Sequence, residues 1–67
     1  MVNIELLKQV IEESGLKESV LAERSGIDYR NLYNRLRGIG EFKVSEVQGL
    51  TKTLNLTKAQ REAIFFA

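Results

Sequence analysis

Five cations lie between positions 24 and 43: Arg24, Arg30, Arg35, Arg37 and Lys43. Asp28 and Glu41 are the acids of that stretch, which therefore carries a local excess of three positive charges. Residues 1–23 are the reverse. Glu5, Glu12, Glu13, Glu18 and Glu23 stand there against Lys8 and Lys17. The remainder is near balance, with Lys52, Lys58 and Arg61 against Glu46 and Glu62, and the whole chain nets +1. A basic middle behind an acidic front suits a polyanionic partner. The plain alternative, a mixed solvated surface, fits the charges equally well.

Other chemistries lack their reagents. The 67 residues include no histidine and no cysteine. The commonest general base, the commonest zinc ligand, the thiolate nucleophile and the disulfide are all missing. Glu12 and Glu13 are neighbours on a helix and point apart, so they are no acid/base pair. No glycine-rich phosphate loop is present. The expectation is a chain that is not an enzyme, with no metal, no cofactor and no small-molecule substrate.

The elements that must hold the cations are helices. Ile4, Leu7 and Ile11 recur at helical spacing, widened by Leu6 and Val10. Asn3 suits the N-cap of that helix and Gly15 its stop. A short segment holds Val20, Leu21 and Ala22 and ends before Gly26. Asp28 can cap a third helix with Leu32 and Leu36 on its inner face. Gly38 ends it, with Arg35 and Arg37 in the last turn, where the helix dipole favours cations. Val44, Val47, Leu50 and Leu54 make a fourth stripe. Gly49 inside it costs ~1 kcal/mol of helix propensity, which points to a close approach. Asn55 suits a left-handed ending, and Thr57 with Gln60 forms a capping box for a fifth helix closed by Ile64, Phe65 and Phe66.

These signals predict helices at 3–14, 17–25, 28–37, 44–54 and 58–66, and no segment alternates with period two. The fold class is therefore all-α, a compact five-helix domain spanning 1–67. Phe42, Phe65 and Phe66 are expected in the core first, with one of the terminal pair left exposed. No apolar run approaches the ~20 residues of a membrane span. The start, Met1-Val2-Asn3-Ile4-Glu5, lacks the marks of a signal peptide, so a cytoplasmic location is expected.

Leu16 to Gly38 holds the most information. A short helix, a tight turn and a second helix follow with almost no slack. Ala22 is small enough for helices to approach, Gly26 supplies a positive φ, and Ile27 plugs the corner beside Leu21 and Leu32. On these residues and Gly38 the chain resembles the helix-turn-helix of the lambda-repressor-like, Cro-type family, often called XRE. The likeness covers nearly the whole chain. Val44–Leu54 and Leu56-Thr57 look like the family's fourth helix and the start of its fifth. The closing Arg61-Glu62-Ala63-Ile64-Phe65-Phe66 looks like the ending of small regulators from phages and prophages of Gram-positive bacteria.

The resemblance implies a regulator whose helix 3 lies in the major groove of double-stranded DNA. The outer side of that helix offers Asp28, Tyr29, Arg30, Tyr33, Asn34 and Arg37. Arg30 suits a bidentate contact to guanine and Asn34 one to adenine. Tyr29 and Tyr33 suit a thymine methyl or a phosphate. Lys17, Arg24, Arg37 and Lys43 are the expected backbone contacts. Several have a plainer reading. Tyr29 and Tyr33 can be half-buried core aromatics, Arg30 can pair with a nearby acid, Asp28 suits a cap better than a base contact, and Arg35 reads as a surface ion pair. Leu21, Ala22, Gly26, Ile27, Leu32 and Leu36 form the turn and its core.

Some positions depart from the family. Glu18 stands where Gln often contacts DNA backbone, and its carboxylate repels phosphate. Arg35 replaces an aliphatic core residue, whose packing Leu36 takes over. Lys17 and Lys43 stand where Ser or Thr normally caps. One small module reads few base pairs, so a weak homodimer completed on DNA is expected, with Phe65 and Phe66 as its contact and a location at the bacterial nucleoid. The alternative is the same fold acting through a protein partner, as an antirepressor or antitoxin-like protein. The acidic face of helices 1 and 2 and the Phe-rich end motivate it.

Overall fold

Three helices start on the side-chain caps that the sequence predicts. In the computed structural model, which describes residues 1–66, α1 spans Ile4–Ser14, α2 Glu18–Ser25, α3 Tyr29–Arg35, α4 Val44–Thr53 and α5 Lys58–Phe65. Asn3 Oδ1 accepts from the Leu6 N–H at 3.1 Å. Asp28 Oδ1 accepts from the N–H groups of Arg30 at 2.9 Å and Asn31 at 3.3 Å. Thr57 and Gln60 cap one another's backbone at 3.0 and 2.9 Å. The two lysine caps behave differently. Lys17 makes no side-chain cap. Lys43 has no acceptor to offer, but its own N–H donates to Glu46 Oε1 at 2.9 Å, which is half of a capping box.

Three helix ends close in the same way. Gly26, Gly38 and Asn55 sit at positive φ, and the residue after each donates back across the last turn. Ile27 N–H reaches Ala22 O, Ile39 N–H reaches Asn34 O, and Leu56 N–H reaches Thr51 O, each at 2.9 Å. Such closures satisfy carbonyls that a helix end otherwise strands, and they reverse the chain sharply. The first of them joins α2 to α3 through residues 26–28 alone. The second corrects the predicted third helix. Its regular part stops at Arg35, and residues 36–38 form the turn, so Arg37 lies beyond the last helical turn.

The core gathers Leu7 and Ile11 of α1, Leu21 and Ala22 of α2, Ile27, Leu32, Leu36, Leu50 of α4, and Ile64 and Phe65 of α5. The fourth stripe needs correction at its start. Val44 is 74% exposed, while Glu46 is buried. Glu46 turns inward because its carboxylate meets the Lys43 N–H and Arg35. At ~100° per residue, that turn carries Val44, two positions earlier, to the outer side. Gly49 has the role its position suggests: a Cβ there would overlap the carbonyl oxygen of Ser25, so α2 and α4 touch backbone to backbone. The Ser25 hydroxyl donates to Thr53 Oγ1 at 3.0 Å across the same seam. α1 packs on α5, and the Asn3 N–H donates to Ile64 O at 2.6 Å. Among the described residues there is no strand, and no helix is long and apolar enough to cross a membrane.

Candidate nucleic-acid interface

α3 turns one face to the core and one to solvent. Leu32 is fully buried, and Leu36, just past the helix, is too. Between them the outer face carries Tyr29, Arg30, Tyr33 and, half-buried, Asn34. Tyr29 is 50% exposed and Tyr33 42%, with ring centroids 6.3 Å apart and planes tilted by 57°. Tyr33 is thus no core residue, although it is not free either. The Arg37 guanidinium carbon lies 3.4 Å from its ring centroid. Arg37 Nη1 also donates to Tyr33 O at 2.9 Å and lies 3.8 Å from Glu18 Oε1. Tyr29, Tyr33 and Arg37 follow at i+4 steps, and Glu18 at the start of α2 closes the row.

That row changes the reading of two residues. Glu18 faces Arg37 and offsets its charge, so the two together present little net field. Arg37, expected as a backbone contact, is held by a ring, a carbonyl and a carboxylate. Four other cations stand clear. Lys17, Arg24, Arg30 and Lys43 are exposed and make no ion pair among the described residues. For Arg30 this removes the plainer reading of a nearby acid.

Arg35 corrects the expected surface pair. Its side chain is 14% exposed and that of Glu46 7%, with Nε 3.7 Å from Glu46 Oε1. Arg35 Nη1 donates to Ile39 O at 3.3 Å. The guanidinium packs so close to Gly40 that a Cβ there would strike it, and Gly40 sits at φ 77°. The loop from 36 to 43 is therefore wrapped around Arg35 and pinned to α4 by Glu46. The spacing of Glu46 three residues after Lys43 was a signal for the cap. Nothing in the local pattern marks Arg35 as its partner.

The corner residues Leu21, Ala22, Ile27, Leu32 and Leu36 are all buried, and Gly26 supplies the positive φ between α2 and α3. The two terminal phenylalanines divide. Phe65 is buried, edge-on to Phe42 at 5.4 Å and 78°, whereas Phe66 is 68% exposed and not part of the core. Of the pair expected at a dimer contact, Phe66 alone presents its ring to solvent. Among the described residues no three metal-binding side chains cluster. In comparison with known proteins, no family model, no curated protein and no solved structure matches this chain.

Proposed function

We propose that this chain is a sequence-specific DNA-binding transcription regulator, a small repressor of the Cro-type helix-turn-helix family such as phages and prophages carry. In this reading α2 and α3 are the helix-turn-helix, and α3 enters the major groove. One observation carries it. The outer side of α3 presents Arg30 and, four residues on, the half-buried Asn34, with Tyr29 beside them and Arg30 free of any carboxylate among the described residues. A guanidinium so placed has its fork of donors available for guanine, and the Asn34 amide is of the kind that pairs with adenine. Tyr29 supplies an apolar edge for thymine. Tyr33, stacked under Arg37, offers its hydroxyl rather than its ring face. Lys17, Arg24 and Lys43 hold phosphates, and Arg37 contributes less because Glu18 offsets it.

Two copies on one duplex, one helical turn (~34–36 Å) apart, read more base pairs than one. The exposed Phe66 ring is the contact proposed between them. Dimerisation is completed on DNA, inside the bacterial cell at its nucleoid.

Selection of bound duplexes from random DNA, at low and near-physiological salt, tests the reading. The expected result is an enriched palindrome whose half-sites lie about one turn apart. Arg30→Ala should then cost about 1–3 kcal/mol at the enriched site and relax its sequence preference. Lys43→Ala should weaken all duplexes alike and lower the salt slope by about one. Salt-labile binding with no enrichment, or no binding, overturns the reading and favours a protein partner for the acidic face of α1 and α2.

A further inference from the structure

Arg37 is basic, exposed and just past the end of α3, which is where a phosphate contact is expected, yet its side chain is committed three ways. The guanidinium carbon lies 3.4 Å from the Tyr33 ring centroid. Nη1 donates to the Tyr33 carbonyl at 2.9 Å. The same Nη1 lies 3.8 Å from Glu18 Oε1. At 3.4 Å a planar guanidinium covers the ring face it stands on. Tyr33 has a second neighbour one turn earlier in α3, where the Tyr29 ring centroid is 6.3 Å away, within the range of an aromatic pair.

These contacts act on Tyr33 as much as on Arg37. A tyrosine alone on a helix surface samples several rotamers, and binding that selects one of them costs entropy. Here Tyr29 restrains the ring from the N-terminal side and Arg37 from the C-terminal side, before any partner arrives. A side chain already fixed in its bound pose loses less on binding. Arg37 in turn is held from α2 by the Glu18 carboxylate. A phosphate approaching Arg37 therefore meets a cation whose charge is offset, with a carboxylate beside it.

We infer that Arg37 is a positioning residue for base recognition and not a phosphate contact: held by Glu18, it fixes the Tyr33 ring so that the ring edge and hydroxyl meet one base pair of the half-site. The inference rests on the DNA-binding reading proposed above. In it Glu18 sets specificity from α2 without touching DNA. Removing Glu18 frees Arg37 for a phosphate, which strengthens every duplex alike, and lets the Tyr33 ring turn, which blurs the preference for one.

The test measures the full chain and its variants on the duplex enriched by selection and on every single-base change of its half-site, over a range of salt. Tyr33→Ala locates the base pair that Tyr33 reads, as the position where preference is lost. Arg37→Lys should relax preference at that same position and weaken the enriched duplex about two- to fivefold, the worth of an exposed cation–π contact. Lysine keeps the charge but lacks the planar fork, so a phosphate contact would survive this change. Once Tyr33 is alanine, Arg37→Lys should have no further effect on preference. Glu18→Ala should relax the same position while steepening the salt slope by about one. The three side chains are exposed or half-buried, so the variants are expected to fold, which thermal melting checks. With a duplex enriched, a Tyr33→Ala chain that loses no preference, an Arg37→Lys or Glu18→Ala chain that keeps it, or a loss equal on all duplexes overturns the inference and leaves the DNA reading standing. No enrichment overturns both.

Discussion

Arg35 and Arg37 stand two residues apart at the end of α3, each beside a glutamate, and the two corners they occupy differ in almost everything else. At the α3–α4 corner, Arg35 and Glu46 are withdrawn from water and wrapped by the loop. At the α2–α3 edge, Arg37 and Glu18 keep side-chain exposures of 40% and 35%. A charge taken from water must recover its hydration inside the protein, so the first pair constrains everything that touches it. The second pair keeps its water and constrains little. The same basic stretch is thus divided: Arg35 is built into the fold, Arg37 is paired at the surface, and Arg24, Arg30 and Lys43 are exposed with no ion pair among the described residues.

Cutting one partner from each pair sharpens the contrast. Glu46→Ala leaves Arg35 buried beside no carboxylate and uncaps α4. It should lose about 3–5 kcal/mol in urea denaturation, a large part of what a domain this size has. Replacing both partners, as Arg35→Met with Glu46→Leu, should recover most of that loss, because no charge is then stranded. A full loss in the double variant would break the comparison, since packing rather than charge would then rule the corner. Gly49→Ala comes next. The added methyl meets the Ser25 backbone, which cannot swing aside, so a net loss of about 1–3 kcal/mol is expected despite better helix propensity. Glu18→Ala comes last, at no more than about 1 kcal/mol, fading in high salt. A loss there as large as at Glu46 would erase the distinction between the corners.

Much of the fold was legible because its signals are local. Asn3, Asp28, Thr57 and Gln60 bond within three residues of themselves, so their spacing in the chain is their geometry. Gly26, Gly38 and Asn55 mark left-handed positions for the same reason. Illegible were the contacts set by tertiary register. Val44 completes an apolar stripe in the sequence, yet it faces water, because burying Glu46 with Arg35 decides how α4 is rotated. Arg35 and Arg37 look equivalent in composition and charge. Only the arrival of α4 beside one and α2 beside the other separates them. The candidate interface was legible in part. Tyr29, Arg30 and Asn34 share the face that helical period assigns them, while the row from Tyr33 through Arg37 to Glu18 depends on how α2 crosses α3.

The hydrogen bond from the Asn3 N–H to Ile64 O has a kinetic consequence. It joins positions nearly the whole chain apart, whereas the turn closures at Gly26, Gly38 and Asn55 span five residues or fewer. Closing the long loop costs more chain entropy than closing any of those, so α1 and α5 are expected to dock after the middle helices have met. The same order run backwards makes α1 and α5 the first part to open. Amide protons there should exchange sooner than those at the α2–α4 seam. In such an opening the molecule unlatches at its long-range closure while the α2–α3 corner stays shut.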